Sequence, residues 1–342
     1  MKRLLILVLL FSQVYAQKKV ELPRRPGAAA NTVFILDAPF KPGDTVVLSG
    51  DYLWIQIKGI KGTADKPIVF KPKGKVTIGG YASYTLNLYG EHFKVLGGGK
   101  LVIGHPTVFA MGINLGTSHH VEIAGLEMYN VTTGIQQNPA GTELIEGCYY
   151  HDLYIHDMQN PPHKGRAEAF YIGKTSPGGC YFKDLRIENN RIENVSGDGI
   201  QVSGGTFTIR NNKVKNYGLA DLEQQNNGIL VGGNATAVIS GNEVSGGTGP
   251  ALQVLGRGVI NITRNRFINN KTTRKNEDLI YINGRTDQLT IQFENNEFSG
   301  NSPARRMITN GTTTNMSKIV YKKNKGLNKV QVALLSGDAF SI

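Results

Sequence analysis

The segment Ile187-Glu-Asn-Asn-Arg-Ile192 decides the fold, because its pattern returns along the chain. Each copy has apolar residues at its first and sixth positions and Asn at its fourth. The other copies are Ile209-Arg-Asn-Asn-Lys-Val214, Ile239-Ser-Gly-Asn-Glu-Val244, Ile262-Thr-Arg-Asn-Arg-Phe267 and Phe293-Glu-Asn-Asn-Glu-Phe298. Internal repetition at such intervals is the signature of a repeat architecture.

A second short apolar segment follows each copy of the first. It reads Gly199-Ile-Gln-Val202, Gly228-Ile-Leu-Val231, Ala251-Leu-Gln-Val254 and Leu279-Ile-Tyr-Ile282. The first motif recurs after 22, 30, 23 and 31 residues. The shorter intervals leave no room for the helix of a βαβ or leucine-rich repeat, and a propeller blade needs about 40 residues. The repeat therefore predicts an all-β, single-stranded parallel β-helix whose coils stack about 4.8 Å apart.

One Asn recurs at a fixed place in the turn of every repeat. These residues are Asn190, Asn212, Asn242, Asn265, Asn296 and Asn324. Stacked amide side chains can hydrogen-bond along a helix axis, and Asn also tolerates a left-handed backbone. Asn is common in turns for other reasons, but recurrence at one offset favours an asparagine ladder.

Composition agrees with a folded β-rich chain. The 342 residues are 40% hydrophobic, which excludes intrinsic disorder, and 19% charged, with Gly and Asn in place of the residues typical of coiled coils. The formal net charge is +12. Such a basic chain favours acidic partners, and without a nucleic-acid-binding motif we expect an acidic polysaccharide rather than nucleic acid.

The N-terminus has the features of an export signal. Lys2 and Arg3 precede an apolar run, 4–11, and a small-residue site, Val14-Tyr15-Ala16. The apolar run is too short to span a bilayer, so we expect a secreted or periplasmic protein without a transmembrane segment. The domain plan is a signal peptide at 1–16 and one β-helix domain at 17–342, with a capping region at about 17–44. We expect a monomer.

These repeats resemble the right-handed parallel β-helix proteins typified by pectate lyases. The opening segments Lys41-Pro-Gly-Asp-Thr-Val-Val-Leu48 and Gly62-Thr-Ala-Asp-Lys-Pro-Ile-Val-Phe70 resemble the first coils of bacterial alginate- and dermatan-type lyases. The resemblance implies three parallel sheets, with the Asn ladder between the second and third. It also implies that the sheet containing Ile200, Ile229 and Leu252 forms the floor of a substrate groove.

The two cysteines fall in similar segments. Cys148-Tyr-Tyr-His-Asp-Leu-Tyr-Ile155 can be aligned with Cys180-Tyr-Phe-Lys-Asp-Leu-Arg-Ile187. Equivalent positions on neighbouring coils would lie about 4.8 Å apart, within disulfide range. Both a disulfide between Cys148 and Cys180 and a pair of buried free thiols stay open.

Long loops precede the strands of the groove sheet. They are 159–168, with the acid/base candidate His163 and the substrate-binding candidates Lys164 and Arg166, and the segments 217–227 and 270–278. Loops held by a rigid scaffold often carry function. The position at the loop end reads Glu168, Asp198, Asn227, Pro250, Asp278 and Arg306 in successive coils.

Glu168 and Asp198 are expected to be neighbours on adjacent coils. Two close carboxylates can share a proton, serve as the acid and base of a glycosidase, or hold Ca²⁺ together with Asn227. They can equally be turn residues that accept backbone hydrogen bonds.

Outward positions of the same sheet carry groups suited to sugars. They read Gln136, Tyr171, Gln201, Leu230, Gln253, Tyr281 and Thr309. Lys174, Arg257 and Arg285 follow the strands at the opposite edge. Arginine binds a planar carboxylate in a bidentate manner, so these cations suit a uronate, although each could be a solvated turn residue.

We therefore predict a polysaccharide lyase that cleaves a uronate polymer by β-elimination. Lys174 or Tyr171 would be the base, and Arg257, Arg285 or a metal at Glu168 and Asp198 would neutralise the carboxylate. The alternatives are a glycoside hydrolase using Glu168 and Asp198, and a glycan-binding β-helix without catalysis. Calcium is the expected cofactor, if any.

Overall fold

The computed structural model describes residues 18–22, 31–80, 83–139, 141–158, 167–174, 180–283, 289–311, 318–328, 331–333 and 339–341. Its strands pair only in parallel and form a right-handed parallel β-helix, the hand that parallel crossovers normally take. No α-helix occurs in these ranges. Within them, no helix is long and apolar enough to cross a membrane. The proposed signal peptide lies outside the described residues.

Three faces make up each coil. Sheet 1 contains β2 (Thr32–Ile35), β4 (Trp54–Lys61), β9 (Ala110–Asn114), β12 (Val131–Gln137), β16 (Glu168–Ile172), β25 (Ile280–Asn283), β28 (Ile308–Asn310), β30 (Val332–Ala333) and the first halves of β7 (Tyr84–Leu96), β19 (Ile200–Arg210), β21 (Ile229–Ser240) and β23 (Leu252–Thr263). These four long strands bend at glycine-rich positions and continue into sheet 2.

Sheet 2 contains the second halves of those strands together with β1 (Lys19–Glu21), β3 (Thr45–Ser49), β5 (Ile68–Lys73), β10 (His119–Ala124), β13 (Leu144–Glu146), β14 (Tyr149–His151), β17 (Tyr181–Glu188), β26 (Leu289–Glu294), β29 (Lys318–Lys322) and β31 (Ala339–Ser341). Sheet 3 contains β6 (Val76–Ile78), β8 (Leu101–Ile103), β11 (Glu127–Tyr129), β15 (Tyr154–Met158), β18 (Arg191–Val195), β20 (Lys213–Lys215), β22 (Glu243–Ser245), β24 (Arg266–Ile268) and β27 (Glu297–Ser299).

The repeat register read from the sequence is confirmed. Ile187 pairs with Ile209, Ile209 with Ile239, Ile239 with Ile262, and Ile262 with Phe293. Alternate residues of each strand point inward, so these side chains stack into one apolar core that follows the helix axis.

The asparagine ladder is also confirmed. The amide nitrogen of each ladder residue donates to the Oδ1 of the next, at 2.9 to 3.0 Å, from Asn190 through to Asn324. Each of these amide nitrogens also donates to a backbone carbonyl. The left-handed residue is the one before each ladder Asn, such as Asn189 (φ 57°) and Asn211 (φ 55°). The ladder Asn itself is selected for its amide rather than for its backbone.

The proposed alignment of the two cysteines is wrong. Tyr149 pairs with Arg186 and Tyr150 with Ile187, which shifts the register by five residues. Leu144 pairs with Tyr181, so Cys180 occupies the position in its coil that Glu143 occupies in the preceding coil. It does not match the position of Cys148. Both thiols are free and buried. Burial raises the pKa of each thiol, that of Cys180 to about 11, so both stay protonated.

Candidate functional site

A single column of residues runs along the outer face of sheet 1. Strand register links its members from Phe34 through Gln56, Asn87, Asn114, Gln136, Tyr171, Gln201, Leu230, Gln253 and Tyr281 to Thr309. We call it the outer column. Amides, tyrosines and a threonine dominate it, and such side chains offer donors, acceptors and flat rings along one continuous surface.

The outer column forms part of the floor of a cleft of about 410 Å³, which two of the predicted loops border. Loops 217–227 and 270–278 contribute one wall, and the floor consists of outward residues of sheet 1. The lining residues are Glu223, Gln224, Asn226, Asn227, Pro250, Gln253, Asn276, Glu277, Asp278, Tyr281, Arg305, Thr309 and Gly311.

Asp278 and Arg305 form an ion pair in the cleft. Arg305 Nε donates to Asp278 Oδ1 at 2.9 Å, and its Nη2 donates to Oδ2. The aspartate side chain is 1% exposed and the arginine 42%, so the guanidinium still faces solvent while the carboxylate is covered. The pKa of Arg305 is raised, mainly by the hydrogen bond to Asp278 and to a smaller extent by Tyr281. Tyr281 and Arg305 line the same cleft.

Glu277 is a second carboxyl group in the same cleft, in a different environment. Asn226 Nδ2 donates to its Oε1 at 3.0 Å, and Arg274 Nε lies 3.9 Å from that oxygen. Burial is the main cause that raises the pKa of Glu277. Asp278 is paired with Arg305, whereas burial shifts the pKa of Glu277 upwards, towards the protonated form.

Arg274 ties the two loops together. Its Nη2 donates to the backbone oxygen of Asp221 at 2.6 Å, and its Nε donates to Asp221 Oδ1 at 3.3 Å. Thr273 Oγ1 donates to the same carboxylate at 2.8 Å. These contacts hold the two loops of the wall together.

Several buried polar atoms around the cleft have no hydrogen-bond partner among the described residues. They are Asn227 Oδ1, Gln253 Oε1, Glu277 Oε2 and Thr309 Oγ1. Buried polar groups are normally satisfied, so a cluster of four around one cleft indicates a place prepared for polar ligand groups or ordered water.

Glu168, Asp198 and Asn227 are brought together as predicted. Ala169 N donates to the backbone oxygen of Asp198, and Asn227 donates to Asp198 Oδ1 from both its backbone N (2.7 Å) and its Nδ2 (2.9 Å). Asp198 is 0% exposed and Glu168 5%. Burial raises the pKa of Asp198 to about 7, against the lowering effect of the Asn227 hydrogen bonds. A polymer on the surface could not reach the Asp198 carboxyl group without a rearrangement.

This trio does not make a complete calcium site. Ca²⁺ takes six to eight oxygen ligands, and the trio supplies two carboxyl groups and one amide oxygen in a buried position. No group of three or more His, Cys, Asp or Glu within the described ranges is arranged to hold a metal ion. The calcium prediction stays a prediction, and no step below depends on it.

The other predicted residues are spread along the sheet. Tyr171 and Gln201 are adjacent members of the outer column, and Lys174 follows Tyr171 at the edge, half-buried. Three coil steps separate the coils of Lys174 and Arg257, or about 14 Å, too far for both to contact one sugar carboxylate. Four steps, or about 19 Å, separate Tyr171 from Tyr281. His163, Lys164, Arg166 and Arg285 lie outside the described residues.

Sequence reasoning placed Arg305 and Glu277 in the loops without giving either a role. Arg306 does align with Asp278, since Leu279 N donates to the Arg306 backbone oxygen, but the side chain that reaches Asp278 is that of Arg305. The signal in the sequence was that an acidic residue, Asp278, and a basic residue, Arg306, occupy the same position at the loop end in successive coils.

Comparison with known proteins supports the fold. Residues 169–319 match the family model described as the right handed beta helix region. The chain is a right-handed parallel β-helix. No curated protein matches it by sequence.

Solved structures show the same fold at low identity. The mannuronan C-5 epimerase A-module of Azotobacter vinelandii is 15% identical, with a TM-score of 0.57, over 87% of this chain and 91% of that one. A mutant tailspike protein of E. coli bacteriophage HK620 is 13% identical, with a TM-score of 0.51, over 89% of this chain and 59% of that one. An alginate lyase from Paenibacillus is 17% identical, with a TM-score of 0.46, over 90% and 100%.

Proposed function

We propose that this protein is exported and cleaves a uronate-containing polysaccharide by β-elimination. The observation that carries the proposal is the outer column, which leads into a cleft lined by both Tyr281 and Arg305. A polymer placed along sheet 1 would meet amides and tyrosines over many coils. In the cleft it would meet an acid–base group, Tyr281, and a cation, Arg305.

The charges of the cleft are compatible with an acidic sugar. Asp278 is neutralised by Arg305, and burial shifts Glu277 towards its neutral form. Glu223, which is largely exposed, is the other acidic residue of the lining. The chain as a whole is basic, so its field attracts a polyanion.

Tyr281 and Arg305 have the chemistry that β-elimination needs. Arg305 donates its Nε and Nη2 hydrogen bonds to Asp278. The solvent-facing side of its guanidinium would bind the uronate carboxylate and stabilise the negative charge that develops there. The Tyr281 oxygen would be the base that takes the proton beside that carboxylate. The freed electron pair forms the ring double bond, the bond to the glycosidic oxygen breaks with its electron pair on that oxygen, and the oxygen takes a proton from water.

The most similar of the structures above supports the substrate class. It is named as an epimerase acting at C5 of mannuronan, and inversion at C5 requires removal of the same proton. The likeness itself concerns the fold alone. Export is proposed from the N-terminal sequence, and a secreted or periplasmic location gives access to such polymers.

The test is a product assay on alginate, polygalacturonate and dermatan sulfate. β-Elimination gives an unsaturated sugar with a new ultraviolet absorbance, so its appearance with the purified mature protein supports the proposal. Parallel reactions with Ca²⁺ and with a chelator test the calcium prediction separately. Release of saturated products only, or of none, would contradict β-elimination.

Variants of two tyrosines in the outer column locate the reaction. We expect Tyr281→Phe to lower kcat about a hundredfold or more, because the acid–base group is lost. Tyr171→Phe is the matched control, four coils away on the same column. It should change kcat by only a few fold; the opposite ranking would move the reaction to Tyr171 and Lys174.

Hydrolysis of a glycosidic bond is a second candidate, favoured by the pair Glu277 and Asp278. Burial shifts Glu277 towards its protonated form, as a general acid requires, and Asp278 is ion-paired with Arg305 beside it. This pair lines the cleft, and Glu168 and Asp198 do not. Under this proposal Glu277→Gln abolishes release of saturated reducing ends, and Tyr281→Phe has little effect.

A further inference from the structure

An exposed aromatic pair lies at the N-terminal end of the outer column. The rings of Phe34 and Trp54 have centroids 5.8 Å apart and planes inclined by 13°. Phe34 is 46% exposed, although it is a large apolar residue. Trp54 is partly exposed and is the single tryptophan of the chain. We call this pair the aromatic platform.

The aromatic platform shares a surface with the cleft. Phe34 is the first member of the outer column and pairs with Gln56, and Trp54 precedes Gln56 by two residues on β4. Strand alternation places all three side chains on the outer face of sheet 1. Eight ladder steps lead from Phe34 to Gln253 on the cleft floor, or about 40 Å.

The shape and polarity of the aromatic platform suit a sugar ring. The two rings stack in nearly parallel planes and leave apolar ring surface exposed, 46% of Phe34, and the Gln56 amide beside them offers a donor and an acceptor. A pyranose has an apolar face of C–H groups and a rim of hydroxyl groups, so it can stack on the rings while it hydrogen-bonds at the edge. Amides and tyrosines continue the surface from there towards the cleft.

We propose that Phe34 and Trp54 form a distal sugar-binding subsite, which holds the polysaccharide about 40 Å from the cleft in which it reacts. The inference rests on the proposed function. Its consequence is a preference for long chains, because a short oligosaccharide cannot contact the aromatic platform and the cleft at once.

Fluorescence of Trp54 provides a direct test. The protein carries Tyr281→Phe, so that bound chains stay intact, and is titrated with alginate, polygalacturonate and dermatan sulfate and with trisaccharides cut from each. We expect the preferred polymer to change the Trp54 emission and to bind more tightly than its trisaccharide. Phe34→Ala should weaken polymer binding about tenfold, as loss of an aromatic anchor does, and abolish the preference for long chains. Val259→Ala removes an apolar side chain of similar exposure (48%) from sheet 2 and should bind as the parent does.

The outcomes separate this inference from the proposed function. Suppose that Tyr281 is needed for cleavage, but that the polymer does not change the Trp54 emission and Phe34→Ala binds it as tightly as the parent does. The distal subsite is then wrong and the proposed function stands. If no polymer binds and none is cleaved, both fail. If sedimentation shows self-association that Phe34→Ala abolishes, the aromatic platform is an interface between two copies, which also overturns the inference.

Discussion

Asp198 shows how burial turns one carboxyl group into a pH-dependent element of stability. Its pKa is about 7 in the folded chain, mainly because burial disfavours the charge, and an unfolded aspartate titrates near 3.9. A raised folded pKa means that the stabilisation is complete below about pH 4 and is lost as the pH rises through 7. At about 1.4 kcal/mol per pKa unit, this group can change the free energy of unfolding by about 4 kcal/mol.

We therefore expect Asp198→Asn to gain stability relative to the wild type as the pH rises from 4 to 8, since an amide has no charge to bury. Urea unfolding across this range measures the difference. Asp184→Asn, at an exposed position of β17, is the control and should follow the wild type. A difference that stays constant with pH would show that Asp198 is ionised in the folded chain throughout.

Single residues also show what sequence could and could not predict. Ile187, Asn190 and their equivalents were assignable because each recurs at a fixed offset and stacks on its own copy. The cysteines were misaligned because their coil has a different path: Tyr150, not Ile155, is the neighbour of Ile187. The contact of Arg305 with Asp278 depends on how a loop folds over the next coil, and a strand repeat contains no information on that.

At the scale of elements, the asparagine ladder joins successive turns more tightly than strand pairing alone. Asn242 accepts from Asn212 N and Nδ2, and its own Nδ2 donates to Ile209 O and Asn265 Oδ1. The ladder residues are buried apart from Asn324 at the C-terminal end, which is half-buried. Removal of one interior amide therefore leaves donors and acceptors on both neighbouring coils without a hydrogen-bond partner.

We expect Asn242→Ala to lower the free energy of unfolding by about 3 to 5 kcal/mol, because each buried group left without a partner costs about 1 to 3 kcal/mol. Asn324→Ala is the matched control at the end of the ladder, where the residue is half-buried and water can replace its bonds. It should cost about 1 kcal/mol. Urea denaturation of both variants measures the two decreases in the free energy of unfolding. Equal decreases would mean that an interior amide contributes no more to stability than the amide at the end of the ladder.

At the scale of the whole molecule, stability should vary along the helix axis. Each coil contacts only its neighbours, so an end coil lacks one of the two interfaces that a central coil has. β21 and β23 pair over twelve residues without a shift in register, whereas β1 pairs with β3, and β29 with β31, over three. The centre is therefore the most cooperative part of the described chain.

Hydrogen exchange resolves this gradient. We expect the amides of β19, β21 and β23 to exchange slowest and those of β3 and β29 to exchange faster, because local opening starts where fewest contacts must break. Asn242→Ala should speed exchange in the coils next to residue 242 and leave β3 unchanged, since the coupling passes from neighbour to neighbour. If the variant speeds exchange equally at β3, the molecule opens as one unit and the nearest-neighbour description does not apply to it.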